Sequence, residues 1–176
     1  SGSGTNAYFG DDVNGAGDVN RDGYDDVIVG SYYYSSGIGR AQVHHGSSSG
    51  ISSSATWAVN GSTSYYFGKS VAGAGDVNKD GYDDVIVGAY YYSSGAGRAT
   101  VYHGGSSGLS TSASTTITGS SASYLGYSVD GAGDVNNDGY DDVVIGAMYY
   151  SSGVGRAYVH HGSSSGISST AYRTLT

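Results

Sequence analysis

Short apolar runs, separated by polar stretches rich in glycine, serine and aspartate, recur along the whole chain. Between residues 67 and 124, four such runs have the pattern of β-strands, at 70–77, 84–89, 98–103 and 115–118. The run 84–89 is β-branched and continuous, which is typical of a buried strand. The run 98–103 instead alternates between two faces, and glycine- or serine-marked loops separate all four runs. The pattern therefore predicts four short antiparallel strands in this segment.

This segment is one of three repeats. The block 15–40 returns at 73–98 and again at 131–156, which sets a period of 58 residues, and three periods account for 174 of the 176 residues. Four short strands per repeat are typical of a β-propeller blade. A solenoid is the alternative, but solenoid repeats usually have only about 20–45 residues. We therefore predict an all-β fold of three four-stranded antiparallel blades, which together make one half-propeller domain: blade 1 (1–66, with its repeat at 9–66), blade 2 (67–124) and blade 3 (125–176).

The three copies are unusually alike. Within the block that starts at residue 15, the first two copies differ at only three positions. Natural arrays usually drift further, so the near identity predicts a consensus, duplicated or designed sequence, and hence an engineered recombinant protein. Near-identical repeats also offer no single asymmetric pocket, and no serine–histidine–aspartate constellation stands out. We therefore do not expect an enzyme.

Composition narrows the functional classes further. Cysteine is absent, which excludes a disulfide framework and a thiolate metal site. The net charge is −8 with only 7 lysines and arginines, whereas nucleic-acid binding needs a basic surface. No apolar run approaches the roughly 18 residues of a membrane span, and no signal-peptide pattern opens the chain. We expect no nucleic-acid partner, no membrane partner and no signal peptide in this chain.

Twelve of the fifteen aspartates lie in one nine-residue motif, which reads DVNRDGYDD, DVNKDGYDD and DVNNDGYDD in the three copies. Calcium takes six to eight oxygen ligands, and a tight loop directs alternate side chains inward. Positions one, three, five and nine supply side-chain oxygens, the glycine at position six permits a sharp turn, and the tyrosine at position seven supplies its backbone carbonyl. We therefore predict three Ca²⁺ sites per chain, with these ligands: Asp18, Asn20, Asp22, Tyr24 and Asp26; Asp76, Asn78, Asp80, Tyr82 and Asp84; Asp134, Asn136, Asp138, Tyr140 and Asp142.

Two other interpretations of the motif are weaker. Aspartate, asparagine and glycine favour turns without any metal, but all three copies keep the same side-chain oxygens while position four changes from Arg21 to Lys79 to Asn137. An EF-hand needs a glutamate at position twelve, where this chain has valine or isoleucine. The aspartates at position eight are expected to point away from the ion as solvated charges: Asp25, Asp83 and Asp141.

The motif and its flanks resemble a known repeat. Each copy opens with Phe-Gly or Leu-Gly (9–10, 67–68 and 125–126), runs through GAGDVNxDGYDDV and ends in Val-Gly-Ser, Val-Gly-Ala or Ile-Gly-Ala. This pattern resembles the FG-GAP repeat of integrin α-subunit β-propellers and of many bacterial extracellular proteins, over essentially the whole chain. The resemblance implies a propeller with a calcium loop between the first two strands of each blade, an extracellular location and no catalysis. The chain departs from the family's Gly-Ala-Pro ending, because tyrosine or methionine stands in place of the proline.

Tyrosine-rich stretches lie beside the strands in every copy. The resemblance to integrin propellers places the loops after strand two and before strand one on the face opposite the calcium loops. Tyrosines on such a face are able to stack on sugars or to anchor a protein partner. The alternative, that the rings fill the wedge between blades, stays open. The candidate ligand face consists of Tyr32, Tyr33, Tyr34, Tyr90, Tyr91, Tyr92, Tyr149 and Tyr150.

Two other residue types recur at equivalent positions. Histidine ends strand three of each copy, and because neighbouring strand residues face opposite sides, we expect hydrogen-bonded strand-end histidines rather than metal ligands. An arginine follows Gly-x-Gly in each copy and is expected to pair with a carboxylate or carbonyl between blades, with ligand binding as the alternative role. These arginines are Arg40, Arg98 and Arg156.

Two functional interpretations follow from these observations. The first is a calcium-stabilised propeller that serves as a scaffold or interaction module, and the second is a lectin-like module that binds carbohydrate. Propellers close with typically four to eight blades, so three blades leave two faces exposed, and head-to-tail contacts are able to close a ring. We predict a homodimer with six blades in one ring, with a nine-bladed trimer as the second choice, and a carbohydrate or protein ligand.

Overall fold

The structure, a computed structural model, describes residues 7–63 and 65–176. Its strands form three antiparallel sheets of four strands, and each sheet keeps the order of the chain. The strands are β1 (Val13–Gly17), β2 (Asp26–Ser31), β3 (Arg40–His44) and β4 (Trp57–Asn60); β5 (Ser70–Gly75), β6 (Asp84–Ala89), β7 (Arg98–Tyr102) and β8 (Thr115–Thr118); β9 (Leu125–Gly133), β10 (Asp142–Ala147), β11 (Arg156–His160) and β12 (Arg173–Leu175). The predicted all-β fold with three four-stranded antiparallel blades is confirmed.

The strand bounds agree closely with the sequence pattern. In the second blade, β6 and β8 begin and end at the predicted residues, and β7 is one residue shorter than predicted. The first strand ends at Gly75 instead of residue 77. The pairing of β5 with β6 shifts register between Gly73 and Gly75 and ends at Gly75. The backbone N–H of Val77 donates to the side chain of Asp84 and not to a backbone carbonyl of the neighbouring strand. Asp76 and Val77 therefore belong to the loop.

A short left-handed turn follows strand two in each blade, where the sequence predicts a loop. These turns are α1 (Tyr34–Gly37), α2 (Tyr92–Gly95) and α3 (Tyr150–Gly153). Ser35 and Ser36 have φ angles of 50° and 59°, a conformation that costs an L-residue roughly 1–2 kcal/mol. The segment between β4 and β5 contributes to holding the turn, because the carbonyl of Gly37 accepts a hydrogen bond from the N–H of Tyr66 at 2.9 Å.

The hydrophobic core lies between successive blades. One cluster joins Val19 and Ile28 of the first blade to Val85 and Val87 of the second. A second cluster contains Ile86, together with apolar residues of the third blade. Residues 85 to 87 alternate between the two clusters, so β6 is buried on both faces, as its continuous β-branched pattern predicts.

Successive blades also touch backbone to backbone at paired glycines. A Cβ atom at Gly30 would collide with the carbonyl oxygen of Gly68, the glycine of the Phe-Gly pair in the next blade. Gly88 and Gly126 repeat this contact between the second and third blades. The glycine of Phe-Gly (Leu-Gly in the third blade) and the glycine next to the end of strand two therefore form the two sides of one inter-blade contact.

Substitution of one such glycine tests this contact. We expect Gly88→Ala to lower the free energy of unfolding by about 1–3 kcal/mol, because the added methyl group meets fixed backbone. Gly105→Ala is the matched control, since its Cβ would have its nearest neighbour at 3.7 Å. Thermal or denaturant unfolding measures both variants, and equal stability of the two would contradict the assigned packing.

Candidate metal centre

The three acidic loops lie where the sequence predicts them. Each begins directly after the first strand of its sheet and ends at the first residue of the second strand, as β5 and β6 show at Gly75 and Asp84. The tyrosine-rich stretches begin at the other end of strand two, since Tyr90 follows Ala89. A strand of six residues spans roughly 20 Å, so the two candidate sites are well separated.

Side chains of each loop hold its backbone in a tight turn. In the second blade, the carboxylate of Asp76 accepts hydrogen bonds from the N–H groups of Asp80 at 3.0 Å and Gly81 at 2.8 Å. Asn78 Oδ1 accepts from the same Asp80 N–H at 3.0 Å, and Asp80 Oδ1 accepts from the N–H of Tyr82 at 3.1 Å. The same four bonds occur in the first and third loops. Positions one, three and five are therefore brought together in each loop.

The aspartate at position nine is turned towards the strands. Asp84 is fully buried, and its two oxygens accept hydrogen bonds from the N–H groups of Val77 at 3.0 Å and Gly104 at 2.9 Å. Burial raises the pKa of Asp84 to about 7 despite these bonds. Asp26 and Asp142 make the same pair of bonds. This side chain anchors the loop to the sheet whether or not it binds an ion.

The loops fit calcium in the chemistry of their donors. Within residues 7–63 and 65–176, no three histidine or acidic side chains form a cluster that is arranged to hold a metal ion. The side chains at positions one, three and five nevertheless present only carboxylate and amide oxygens, which are the ligands that a hard cation takes. Asp80 is exposed and Asp76 is half-buried, so the loop is open to solvent.

Each loop has a histidine partner that the sequence did not reveal. His103 Nδ1 lies 3.2 Å from Asn78 Nδ2, and because an amide nitrogen only donates, the ring nitrogen accepts. Burial lowers the pKa of His103, which favours this neutral form. The bond directs the amide Oδ1 towards the loop, and His45 and His161 repeat it. The asparagine and the histidine each recur every 58 residues, and this shared period is the sequence feature that could have suggested the pairing.

The expectation for the aspartates at position eight is wrong for two of them. Asp83 Oδ2 accepts a hydrogen bond at 2.8 Å from the N–H of Asp18 in the previous blade, and Asp141 does the same for Asp76 at 2.9 Å. Burial raises the pKa of Asp83. Only Asp25, on the first blade, is exposed. Asp83 therefore joins the second blade to the first, and Asp141 joins the third blade to the second.

The candidate ligand face divides into two groups. Rings from successive blades form a continuous tyrosine belt, with centroid distances of 5.8 Å between Tyr32 and Tyr66, 5.4 Å between Tyr66 and Tyr90, and 5.9 Å between Tyr90 and Tyr124. The belt continues to Tyr149 at 5.5 Å, and it includes Tyr33 and Tyr91 as well. The second group turns away from the belt to stack on arginines: Tyr34, Tyr92 and Tyr150.

Comparison with known proteins identifies relatives of all three repeats. A family model described as "FG-GAP repeat" matches residues 4–44, 67–102 and 125–160. The chain is 34% identical over 158 residues to integrin alpha-6 of Gallus gallus, 33% over 151 residues to integrin alpha-6 of Homo sapiens, and 33% over 156 residues to integrin alpha-4 of Xenopus laevis. Each alignment covers 84% of this chain but only 14%, 13% and 15% of the relative. In the described part of the chain, no helix is long and apolar enough to span a bilayer.

Unfolding experiments without metal test whether Asp84 stabilises the fold more than the exposed Asp80 does. In EDTA we expect Asp84→Ala to lower the free energy of unfolding by roughly 1–3 kcal/mol or more, because two N–H groups lose their acceptor in a buried site. Asp80→Ala is the control and should cost less, since water replaces an exposed carboxylate. Urea unfolding at neutral pH provides the comparison, and equal losses would contradict the assigned anchoring role.

Proposed function

The chain belongs to the FG-GAP repeat family, and from that premise we propose that it is a calcium-binding β-propeller scaffold or interaction module that assembles into a closed ring. The observation that carries this proposal is the repetition of one oxygen-only loop, in register, on each of three blades. We propose no catalytic role and an extracellular location, as the family suggests. Because the chain spans about 14% of the length of its integrin relatives, their partners are not transferred to it.

Calcium is proposed to bind at the side chains of positions one, three and five, with the carbonyl at position seven and the aspartate at position nine. In the second loop these are Asp76, Asn78, Asp80, Tyr82 and Asp84. The ion supplies two positive charges where several carboxylates crowd together, and three ions would change the formal charge from −8 to −2 by adding three times two. The hydrogen bond from Asn78 to its histidine supports this assignment, because it leaves the amide oxygen for the loop.

Self-assembly is supported by complementary exposed residues at the two ends of the chain. Val13 of the first blade is 58% exposed, whereas its equivalent Val71 is 0% exposed. Val135 of the third blade is 54% exposed, whereas its equivalent Val77 is 0% exposed. A neighbouring blade covers the equivalent of each exposed valine, so a contact between the third blade of one chain and the first blade of another would bury both. Such head-to-tail contacts close into a ring when the rotation permits.

The number of chains follows from the number of blades. Propellers typically have four to eight blades, so two chains with six blades lie within this range and three chains with nine lie just outside it. We therefore propose a homodimer with one six-bladed ring, and we keep the trimer as the second choice.

A carbohydrate-binding module is the second candidate. The tyrosine belt favours it, because Tyr33, Tyr91 and Tyr149 are 38%, 43% and 46% exposed, and exposed aromatic rings provide apolar faces with a polar hydroxyl for ligands. A protein ligand would use the same surface. A glycan array of neutral sugars at saturating calcium separates the two candidates, since only the carbohydrate-binding module is expected to bind neutral sugars.

Calcium stoichiometry tests the ligand assignment. Calorimetry should give three ions per wild-type chain and two for Asp76→Ala, because the variant loses a carboxylate at position one in a single loop. Arg21→Asn should keep three ions, since it only installs at position four the residue that the third copy already has. Calcium should also raise the melting temperature, as an ion bound only by the folded state does. Three ions bound by Asp76→Ala would refute the assignment, and identical melting with EDTA would refute structural calcium.

Substitution of Asp25 and of its equivalent Asp83 distinguishes an effect on assembly from an effect on folding. Light scattering in calcium should give about twice the 17.8 kDa chain mass. We expect Asp25→Ala to weaken the dimer about tenfold or more, because its carboxylate would cap the N–H of Asp134 in the next chain, as Asp83 caps that of Asp18. Asp83→Ala should instead lower the stability of the single chain. A wild-type monomer would refute the ring, and a three-fold mass would favour nine blades.

A further inference from the structure

A small cleft opens between each pair of neighbouring blades. The cleft between the first and second blades has a volume of about 170 Å³ and is lined by Asn60 and Tyr65 on one side and by Arg98, Thr100 and Tyr102 on the other. An equivalent cleft of about 290 Å³ between the second and third blades contains an arginine at the same position. The two clefts thus lie at equivalent positions and share the arginine, and both are complete within a single chain. The second has Thr118, Tyr158 and His160 where the first has Asn60, Thr100 and Tyr102.

Each cleft contains an arginine without an anionic partner. The guanidinium carbon of Arg98 lies 3.4 Å from the ring centroid of Tyr92, and that of Arg156 lies 3.8 Å from the ring of Tyr150. The Nε atom of each arginine is buried without a hydrogen-bond partner. The expectation that these arginines pair with a carboxylate or carbonyl between blades is therefore wrong at Nε. No arginine forms an ion pair within the described residues, where the one ion pair joins Lys69 to Asp11.

The charge of the cleft selects the charge of its ligand. Arg98 is half-buried, and it is the single charged residue among those that line its cleft. A buried polar atom without a hydrogen-bond partner, such as Arg98 Nε, is unfavourable, and the planar guanidinium fork matches a carboxylate in a two-bond geometry. One positive charge balances one negative charge, whereas a phosphate dianion would leave one negative charge unbalanced in the cleft, since no second cation is among the described residues that line it. The electrostatics therefore favour a monocarboxylate.

The rest of the lining selects the body of the ligand. Thr100, Tyr102 and Thr116 contribute hydroxyl groups and Asn60 contributes an amide, while Phe67 contributes an apolar ring. Pockets for drug-sized ligands have volumes of roughly 300–1,000 Å³, so these clefts are suited to smaller molecules. We propose that each inter-blade cleft binds a small, hydroxyl-bearing monocarboxylate of at most monosaccharide size, such as a uronic acid, through Arg98 in one cleft and Arg156 in the other.

Arg40 is the equivalent arginine on the first blade. Its guanidinium carbon lies 4.9 Å from the ring centroid of Tyr34, and its Nε is likewise buried without a partner. The opposite wall of its cleft would come from strand four of a preceding blade, which a second chain supplies in the proposed ring. The two intrachain clefts do not depend on that assembly, nor on the tyrosine belt, so this proposal stands or falls separately from the proposed function.

Three matched ligands test the selection on the unaltered protein. Calorimetric titrations at saturating calcium compare D-glucuronate, D-glucose and glucose 6-phosphate, which share a hydroxylated ring and differ in charge. We expect glucuronate to bind about tenfold or more tightly than either of the others. Equal binding of glucose would overturn the role of the arginine, tighter binding of glucose 6-phosphate would overturn the choice of a monoanion, and absence of glucuronate binding would overturn the site.

Variants of the arginines locate the binding. The double variant Arg98→Gln with Arg156→Gln should lose two glucuronate sites per chain. The corresponding pair of Arg→Lys changes should bind glucuronate more weakly than wild type but more tightly than the Gln pair, because lysine keeps the positive charge without the planar guanidinium fork. Arg21→Asn removes one positive charge outside the clefts and should bind glucuronate as wild type does. Melting curves check that each variant folds. Unchanged glucuronate binding by a folded Gln pair would place the carboxylate elsewhere and refute the proposal.

Discussion

The close approach of neighbouring blades is the constraint on which the rest of this structure depends. Gly30 meets Gly68, and Gly88 meets Gly126, without room for a side chain. This contact brings the apolar face of each strand two against the next sheet, so the core forms between blades and not within one. The clefts that contain Arg98 and Arg156 open at the same two blade boundaries.

The carboxylates of the acidic motif divide among three structural tasks. Asp76 closes the turn of its loop, Asp84 ties that loop to the sheet, and Asp83 reaches back to the previous blade. Only the exposed Asp80 contributes little to the fold besides the turn itself. These side chains therefore connect structural elements as well as forming the proposed calcium ligand set, and their hydrogen bonds would preorganise the loop for the proposed cation.

The repeat made most of the fold predictable from the sequence. The period of 58 residues and the β-branched run of β6 define the blades, because burial on both faces requires such a run. The turn at Ser35 and Ser36 was not predictable, since positive φ angles at serine run against its local preference. Nor was the role of Asp83, because a contact between residues 65 positions apart depends on how blades pack. The lack of a partner for Arg98 Nε was not predictable for a related reason, since a sequence shows which charged residues are present but not which of them come into contact.

The cross-blade hydrogen bonds also determine where the molecule first comes apart. The second blade is fastened on both sides, through Asp18 to Asp83 and through Asp76 to Asp141, whereas the outer blades are each fastened on one side within the chain. In such a linear array, stability is a sum of repeat and nearest-neighbour terms. Fraying would therefore start at the outer blades and leave the middle one with the slowest amide exchange, and closure into a ring would make all blades equivalent by abolishing the ends.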